Sequence, residues 1–230
     1  MKTGLVIFVR FDSRRLPGKA LRMLAGKPLL SHVIERAAAV GDYPIIVATS
    51  DRTIDDRIAA FALAASVQVF RGSAEDVLGR ANACVRSFGL DCLVRVCGDS
   101  PFFDSALAAR MLADARPGQF DLLTNVWPRT FPKGLSVETI AAEALAAAAA
   151  AASVDEREHM TQHFYAHPQR FRIANYASGN PAFADCSLAV DTEADLARAS
   201  WIYERCNGKI PTPPTLVALA QEWRPSVAVQ

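Results

Sequence analysis

Four short apolar runs, each suited to a buried strand, alternate with helical patterns over the first hundred residues. The runs are residues 5–9, 45–48, 67–70 and 92–96, and apolar residues at helical spacing separate them. This alternation is typical of a mostly parallel sheet with helices on both faces. It predicts an α/β fold of the Rossmann-like kind, in which ligands bind beyond the carboxyl ends of the strands.

The second half of the chain is less regular. Its apolar patterns predict strands at 122–124, 136–140, 171–176 and 186–190, and helices at 141–153, 157–166 and 192–206. Three residue pairs have the spacing of helix-capping boxes: Thr53 with Asp56, Ser73 with Asp76, and Thr192 with Asp195. Residues 1–230 contain no linker and no internal repeat, so we interpret them as one domain.

Composition excludes several classes of protein. Hydrophobic residues make up 51% of the 230, enough for a substantial core, and the formal net charge is only +1. Nothing in this balance indicates a nucleic-acid or membrane partner. The apolar run near the N-terminus is too short for a signal peptide, and five cysteines without paired spacing favour reduced thiols. We therefore expect a cytoplasmic protein.

The loop that follows the first predicted strand concentrates positive charge. Residues 10–27 contain six basic side chains and one acid, a local charge of +5: Arg10, Arg14, Arg15, Lys19, Arg22, Lys27 and Asp12. Such a loop at a strand end suits a small, strongly anionic ligand, best a nucleoside triphosphate. Arg10, Ser13, Arg15 and Lys19 can surround the phosphates. The loop is neither a P-loop nor a dinucleotide-binding glycine motif.

Two aspartates also follow predicted strands. Asp99 lies just past the fourth strand and Asp191 just past the run at 186–190. Carboxylates at strand ends can hold Mg²⁺ against phosphates. The alternatives are a turn aspartate for Asp99 and helix capping by Asp191 itself. Because Thr192 and Asp195 can cap the following helix, Asp191 is left free for a metal.

The remaining polar positions divide into three groups. Ser50 and Arg71 follow the second and third predicted strands and can face a nucleotide. We interpret Asp76 as a structural residue. His159, His163 and His167 recur every four residues, a spacing that can bind zinc, but we favour exposed or substrate-facing histidines. A loop and a helix start in the second half can complement a second substrate or can be ordinary surface; their polar residues are Lys133, Glu138, Glu158 and His159.

The sequence resembles a known family. Residues 13–19 (SRRLPGK) are similar to the S-x-R-L-P-G-K signature of cytidylyltransferases that activate acidic sugars as CMP-sugars. The resemblance is strongest to the branch of spore-coat polysaccharide biosynthesis. Further segments similar to the family's motifs follow in order: 26–30 (GKPLL), 47–51 (VATSD), 71–73 (RGS) with 76–78 (DVL), 94–96 (VRV), 98–101 (GDSP), 131–134 (FPKG), 157–159 (REH) and 190–192 (VDT).

This resemblance implies a nucleotide-diphospho-sugar-transferase-like fold and a homodimer. It implies that CTP binds in residues 1–120, with Arg15 and Lys19 on the phosphates and Mg²⁺ held by Asp99 and Asp191. Residues 121–230 then supply the acceptor side and the dimer contact, with Glu158 and His159 near the acceptor. The chain departs from the family pattern at Asp12, where a small residue is usual, and at Val9, Cys97 and Ser136.

Three functions follow as hypotheses. The first is transfer of CMP from CTP to an acidic sugar or similar acceptor, with release of pyrophosphate, in polysaccharide or glycoconjugate biosynthesis; its catalytic residues are Arg15, Lys19 and Asp99. The second is a nucleotide-sugar-dependent glycosyltransferase, although residues 98–101 (GDSP) lack the Asp-x-Asp metal motif usual there. The third is a non-catalytic nucleotide-binding relative.

Overall fold

A computed structural model describes residues 1–116 and 118–224. Its strands are β1 (Thr3–Phe8), β2 (Met23–Leu24), β3 (Lys27–Pro28), β4 (Ile45–Ser50), β5 (Gln68–Gly72), β6 (Cys92–Cys97), β7 (Leu122–Thr124), β8 (Glu138–Ala141) and β9 (Ile173–Asn175). Its helices are α1 (Leu29–Ala38), α2 (Asp56–Ala64), α3 (Val77–Phe88), α4 (Ser105–Asp114), α5 (Ala142–Ala151), α6 (Gln162–Ala166), α7 (Glu193–Arg205) and α8 (Pro213–Glu222).

Within these described residues, a seven-stranded sheet has the order β5-β4-β1-β6-β8-β7-β9. The first four of these strands are parallel, and β8 pairs antiparallel with both of its neighbours. The sheet therefore contains strands from both halves of the chain. The predicted mostly parallel α/β fold is confirmed. One domain over 1–230 stays a prediction, and residues 117 and 225–230 lie outside the described part.

Alternate side chains of β1 enter two separate hydrophobic cores. Leu5 and Ile7 belong to a core that also contains residues of α1, α2, α4, α7 and α8. Val6 belongs to the other core, with residues of α3, α5 and α6. Helices thus cover both faces of the sheet, which leaves the carboxyl ends of the parallel strands as the edge where loops gather.

The segment 186–190 does not form the predicted strand. It is extended, but its only ladder contact among the described residues is an isolated bridge between Lys133 and Ser187. Its backbone groups bond to loops instead, since the Leu188 N–H donates to the Lys133 carbonyl at 2.7 Å and the Val190 N–H to the Asp99 carbonyl at 2.9 Å. An apolar run can be buried and extended without joining a sheet.

Helix starts differ from the predictions in two places. The helix predicted at 157–166 is reduced to a 3₁₀ turn, Asp155–Arg157, followed by α6. The predicted box of Thr53 and Asp56 does not form, because a 3₁₀ turn at Thr53–Asp55 precedes α2 and no side chain caps it. Sequence reasoning missed α4 and α8.

Of the other two predicted capping boxes, one forms in full and one forms in part. The box of Thr192 and Asp195 at α7 is present in full. At α3, Asp76 itself is the cap, accepting from the Gly79 N–H at 2.7 Å, while its own N–H donates to the Ser73 hydroxyl. Within residues 1–116 and 118–224, no helix combines the length and the apolar character that crossing a membrane requires.

Candidate active site

One ammonium group joins the two aspartates that the sequence singled out. The Nζ of Lys19 lies 2.9 Å from Oδ2 of Asp99 and 2.7 Å from Oδ1 of Asp191. Arg15 approaches the other oxygen of Asp191, with its Nη2 2.8 Å from Oδ2. These four side chains, which we call the Lys19 cluster, come from three distant segments of the chain and meet at the carboxyl ends of β1 and β6.

Local backbone structure explains the position of Lys19. Gly18 adopts a left-handed conformation with φ of 67°, and its N–H donates to the Phe11 carbonyl at 2.9 Å. That closes the loop after β1 and starts the 3₁₀ turn Lys19–Leu21. A side chain at position 18 would also meet the Phe11 ring. The turn directs the Lys19 side chain into the site, where only 14% of it is exposed.

Asp191 is placed by the helix that follows it. Asp195 accepts hydrogen bonds from the N–H groups of Asp191 and Thr192, at 3.2 and 3.0 Å. Because Thr192 and Asp195 satisfy the start of α7, the carboxylate of Asp191 is not needed as a cap. It is therefore available to the cations, as the sequence predicted.

The opposite charges of the Lys19 cluster stabilise one another. Burial alone would lower the pKa of Lys19, but Asp99 and Asp191 outweigh it and raise that pKa. Burial would likewise raise the pKa of Asp191, but Lys19 and Arg15 outweigh it and lower that pKa. Lys19 and Asp191 thus each favour the charged form of the other.

Other predicted nucleotide ligands have protein partners. Arg10 donates to the Ala74 carbonyl at 2.7 Å. Arg71 donates to the carbonyls of Ser50 and Arg52, at 3.0 and 2.9 Å. The Ser50 hydroxyl is buried and donates to Asp55, and Ser13 is half-buried in the loop after β1. Arg10 and Arg71 therefore tie the strand-end loops together, and the nucleotide-binding roles of Arg10, Ser13, Ser50 and Arg71 stay predictions.

Sequence reasoning missed the function of Asp55. Its side chain is fully buried, accepts from the Phe11 N–H at 2.6 Å and also accepts from Ser50. It thereby joins the loops after β1 and β4. Asp12, the departure from the family pattern, forms an ion pair with Arg52 at 2.6 Å. That partner offsets the acid that stands beside the predicted phosphate site.

Glu138 belongs to a polar network next to the Lys19 cluster. It is 1% exposed, forms an ion pair with Arg95, and accepts from the Tyr165 hydroxyl at 2.6 Å. Burial alone would raise the pKa of Glu138, but Arg95 and the Tyr165 hydrogen bond outweigh it and lower that pKa. Because Glu138 already holds these partners, it is better placed to position Arg95 and Tyr165 than to bind an acceptor directly.

The other predicted acceptor ligands lie at the surface. Lys133 is exposed, and its backbone bonds to the segment 186–188. Glu158 and His159 are exposed just after the turn Asp155–Arg157. Arg157 holds this turn to α3 through an ion pair with Asp76 at 2.9 Å. The acceptor roles of Lys133, Glu158 and His159 stay predictions.

The histidine expectation was partly wrong. His159 is exposed as expected, but His163 is 1% exposed and its Nδ1 lies 3.0 Å from Oε2 of Glu156. His167 contacts the other oxygen of the same carboxylate. His159 lies in the non-helical segment before α6 begins at Gln162, so the three histidines do not lie on one continuous helix.

Comparison with known proteins now decides the family. A family model described as cytidylyltransferase matches residues 5–196, most of the chain. The chain belongs to the cytidylyltransferase family. It is accordingly a nucleotidyltransferase enzyme, and the match includes Arg15, Lys19, Asp99 and Asp191.

Similar sequences include the spore coat polysaccharide biosynthesis protein SpsF of Bacillus subtilis, 28% identical over 209 residues that cover 87% of this chain and 85% of SpsF. An 8-amino-3,8-dideoxy-manno-octulosonate cytidylyltransferase of Shewanella frigidimarina is 34% identical over 130 residues, which cover 54% of this chain and 52% of that enzyme. The predicted relationship to these two branches is confirmed.

Solved structures support the same conclusion. A cytidylyltransferase from Leptospira borgpetersenii superposes with a TM-score of 0.89 at 26% identity, covering 96% of this chain and 94% of that one. CMP:2-keto-3-deoxy-manno-octonic acid synthetase, solved in complex with CTP, has a TM-score of 0.67 at 19% identity and covers 89% of this chain and 99% of its own. The second similarity concerns the fold alone.

Proposed function

We propose that this cytidylyltransferase transfers CMP from CTP to a hydroxyl of an acidic sugar or a similar polar acceptor. The observation that carries the proposal is the Lys19 cluster, in which two cations and two carboxylates meet at the ligand-binding edge of the sheet. Cations bind phosphates and carboxylates bind the metal that accompanies them. The 14% exposure of the Lys19 side chain strengthens its interactions, because little water competes there.

The proposed reaction is a single displacement. The acceptor oxygen forms a bond to the α-phosphorus of CTP, the bond from that phosphorus to the bridging oxygen of pyrophosphate breaks, and the acceptor's proton passes to solvent. Lys19 and Arg15 bind the phosphate oxygens and stabilise the charge that moves onto pyrophosphate. The tied loops after β1, β4 and β5 hold the nucleotide in position for attack.

The residues present fit a magnesium ion. Asp99 and Asp191 supply carboxylate oxygens, the ligands that Mg²⁺ prefers, and both already converge on one positive charge. We propose that they hold Mg²⁺, which when bound neutralises phosphate charge. Lys19 balances the two carboxylates in this structure, and with Mg²⁺ held by them its ammonium group would be free to contact phosphate.

The acceptor class and the setting are proposed from the relatives. One similar protein is named for spore coat polysaccharide biosynthesis and another for an amino-dideoxy-octulosonate, an acidic sugar. We therefore propose a role in surface polysaccharide or glycoconjugate biosynthesis. We also propose a cytoplasmic homodimer; all five cysteines are free thiols, which suits a reducing compartment.

A pyrophosphate-release assay tests the proposal. Four nucleoside triphosphates are crossed with a panel of acidic sugars and with neutral sugars as controls. Release with CTP and an acidic sugar, together with a CMP-sugar product, supports the proposal. Release of a nucleoside diphosphate or monophosphate from nucleotide-sugars would instead indicate a glycosyltransferase. CTP binding without turnover across the whole panel would indicate a non-catalytic relative.

A further inference from the structure

A cluster of two histidines and one carboxylate lies outside the Lys19 cluster. Glu156 comes from the turn Asp155–Arg157, His163 from α6, and His167 from the end of that helix. Oε2 of Glu156 lies 3.0 Å from Nδ1 of His163, and Oε1 lies 2.9 Å from Nε2 of His167. One ligand atom from each residue lies within 4.8 Å of the others.

The carboxylate of the cluster is held in place before any ligand arrives. Oε2 of Glu156 also accepts from the N–H and the hydroxyl of Ser153, at 2.9 and 3.2 Å. His163 is buried, with its ring against Phe171 at a centroid distance of 5.8 Å. Two of the three donors are therefore fixed by their surroundings. His167 is partly exposed, which leaves an approach from solvent.

We propose that Glu156, His163 and His167 form a binding site for a divalent transition metal, best Zn²⁺. Two imidazole nitrogens with one carboxylate oxygen is a ligand set that zinc uses, and water completes the four-coordinate shell. The same donors suit Co²⁺ and Ni²⁺, whereas Mg²⁺ prefers oxygen ligands. The site is therefore chemically distinct from the pair Asp99 and Asp191.

The second ring nitrogen of His163, Nε2, affects the expected affinity for the metal. Among the residues that the structure describes, Nε2 of His163 is buried and has no hydrogen-bond partner. When Nδ1 binds the metal, Nε2 carries the proton without an acceptor, so we expect an affinity about 10–100-fold below that of sites with a complete second shell.

A bound metal would stabilise the segment that carries Glu158 and His159. Its ligands lie on both sides of these two exposed residues, and the next residue after Glu156, Arg157, holds the turn to α3 through Asp76. A bound ion would cross-link the turn to α6 and raise the stability of the folded state by mass action. This site is proposed independently of the cytidylyltransferase reaction.

Metal binding by defined variants tests the inference. The chelator-treated protein is dialysed against Zn²⁺, and bound metal per chain is measured, with the visible absorption of Co²⁺ as a second readout. We expect about one ion per chain and a raised melting temperature. E156Q and H167Q should weaken binding at least about tenfold, because each removes one ligand of three. H159Q is the matched control and should bind as the unaltered protein does.

The outcomes separate clearly. Stoichiometric binding that survives both E156Q and H167Q would overturn the proposal and would indicate the free cysteines as ligands. Absence of stoichiometric binding to the unaltered chain would overturn it as well. If E156Q does not fold, H167Q decides alone, since His167 is partly exposed and lies at the end of α6. Circular dichroism establishes the fold of each variant.

Discussion

The backbone N–H of Val190 donates a hydrogen bond of 2.9 Å to the carbonyl of Asp99. This contact joins the residue before Asp191 to Asp99, so the two aspartates approach through their main chains as well as through Lys19. The strand-end position of Asp99 and the helix-start position of Asp191 are thereby fixed relative to each other. Such preorganisation suits a site that must position phosphates rather than perform covalent chemistry.

Removal of Lys19 should affect turnover more than binding. In the proposed reaction Lys19 contacts the phosphates as charge moves onto pyrophosphate, so we expect the kcat of K19A to fall about a hundredfold or more. Lys27 is the matched control, because it belongs to the same basic segment, residues 10–27, but lies in β3 and pairs with Glu35 at the surface. Steady-state kinetics of K19A and K27A make the comparison. Full turnover by a folded K19A would refute the assigned role.

Substitution of Gly134 should destabilise the protein and disturb the site. Gly134 has φ of 93°, and a Cβ there would lie 2.6 Å from the backbone N of Ala189. Backbone atoms cannot move aside cheaply, so G134A should displace the segment that leads to Asp191. Gly26 is the control, with φ of 87° but nothing within 4 Å of its added Cβ.

Thermal and urea unfolding measure the difference between these two glycine variants. G26A should lose only the cost of a left-handed backbone in a residue with a Cβ, about 1–2 kcal/mol. We expect G134A to lose about 1–3 kcal/mol more than G26A, because overpacking adds to that cost. Equal losses of stability in G26A and G134A would show that a Cβ at position 134 does not clash with the backbone of Ala189.

Glu138 should make stability depend on acid pH. Its pKa in the folded state lies below the ordinary value of 4.5, because Arg95 and Tyr165 outweigh the effect of burial. The stabilisation is therefore complete above about pH 4.5 and is lost as pH falls from there through the folded pKa. Urea unfolding at a series of pH values measures the slope.

The E138Q variant isolates this contribution. It should be less stable at neutral pH by about 3 kcal/mol, since it leaves Arg95 without its counter-charge. Its free energy of unfolding should also fall less steeply as the pH is lowered below about 4.5. E143Q is the control, because Glu143 is exposed on α5. If the pH dependence of the free energy of unfolding in acid is unchanged in E138Q, Glu138 is not its source.

The fold was largely predictable from the sequence, and the reasons are physical. Strands β1, β4 and β6 are buried parallel strands, and their continuous apolar runs are visible without any knowledge of tertiary contacts. The segment 186–190 has the same appearance but bonds to loops, and only the tertiary structure distinguishes the two. Helix α8 begins with two consecutive prolines, Pro213 and Pro214, which obscured its start.

The candidate site was predictable where position along a strand decides it. Asp99 follows β6 and Lys19 lies in the loop after β1, so their meeting at the carboxyl ends of parallel strands was foreseeable. Asp191 follows a segment that is not a strand, and the hydrogen bond from the Val190 N–H to the Asp99 carbonyl places it there. The role of Asp55 was not, because a buried aspartate that holds loop N–H groups has no sequence signature. The same applies to Glu138, whose partners Arg95 and Tyr165 are distant in the chain.

In the proposed mechanism, Asp99 and Asp191 act together on one metal–triphosphate complex. The most direct measurement is the Mg²⁺ dependence of pyrophosphate release by D99N and D191N, with D185N as the control because Asp185 is exposed and outside the cluster. We expect both cluster variants to lose about a hundredfold or more in turnover and to require more Mg²⁺, while D185N is unchanged. Unaltered Mg²⁺ dependence and turnover in a folded D191N would contradict it.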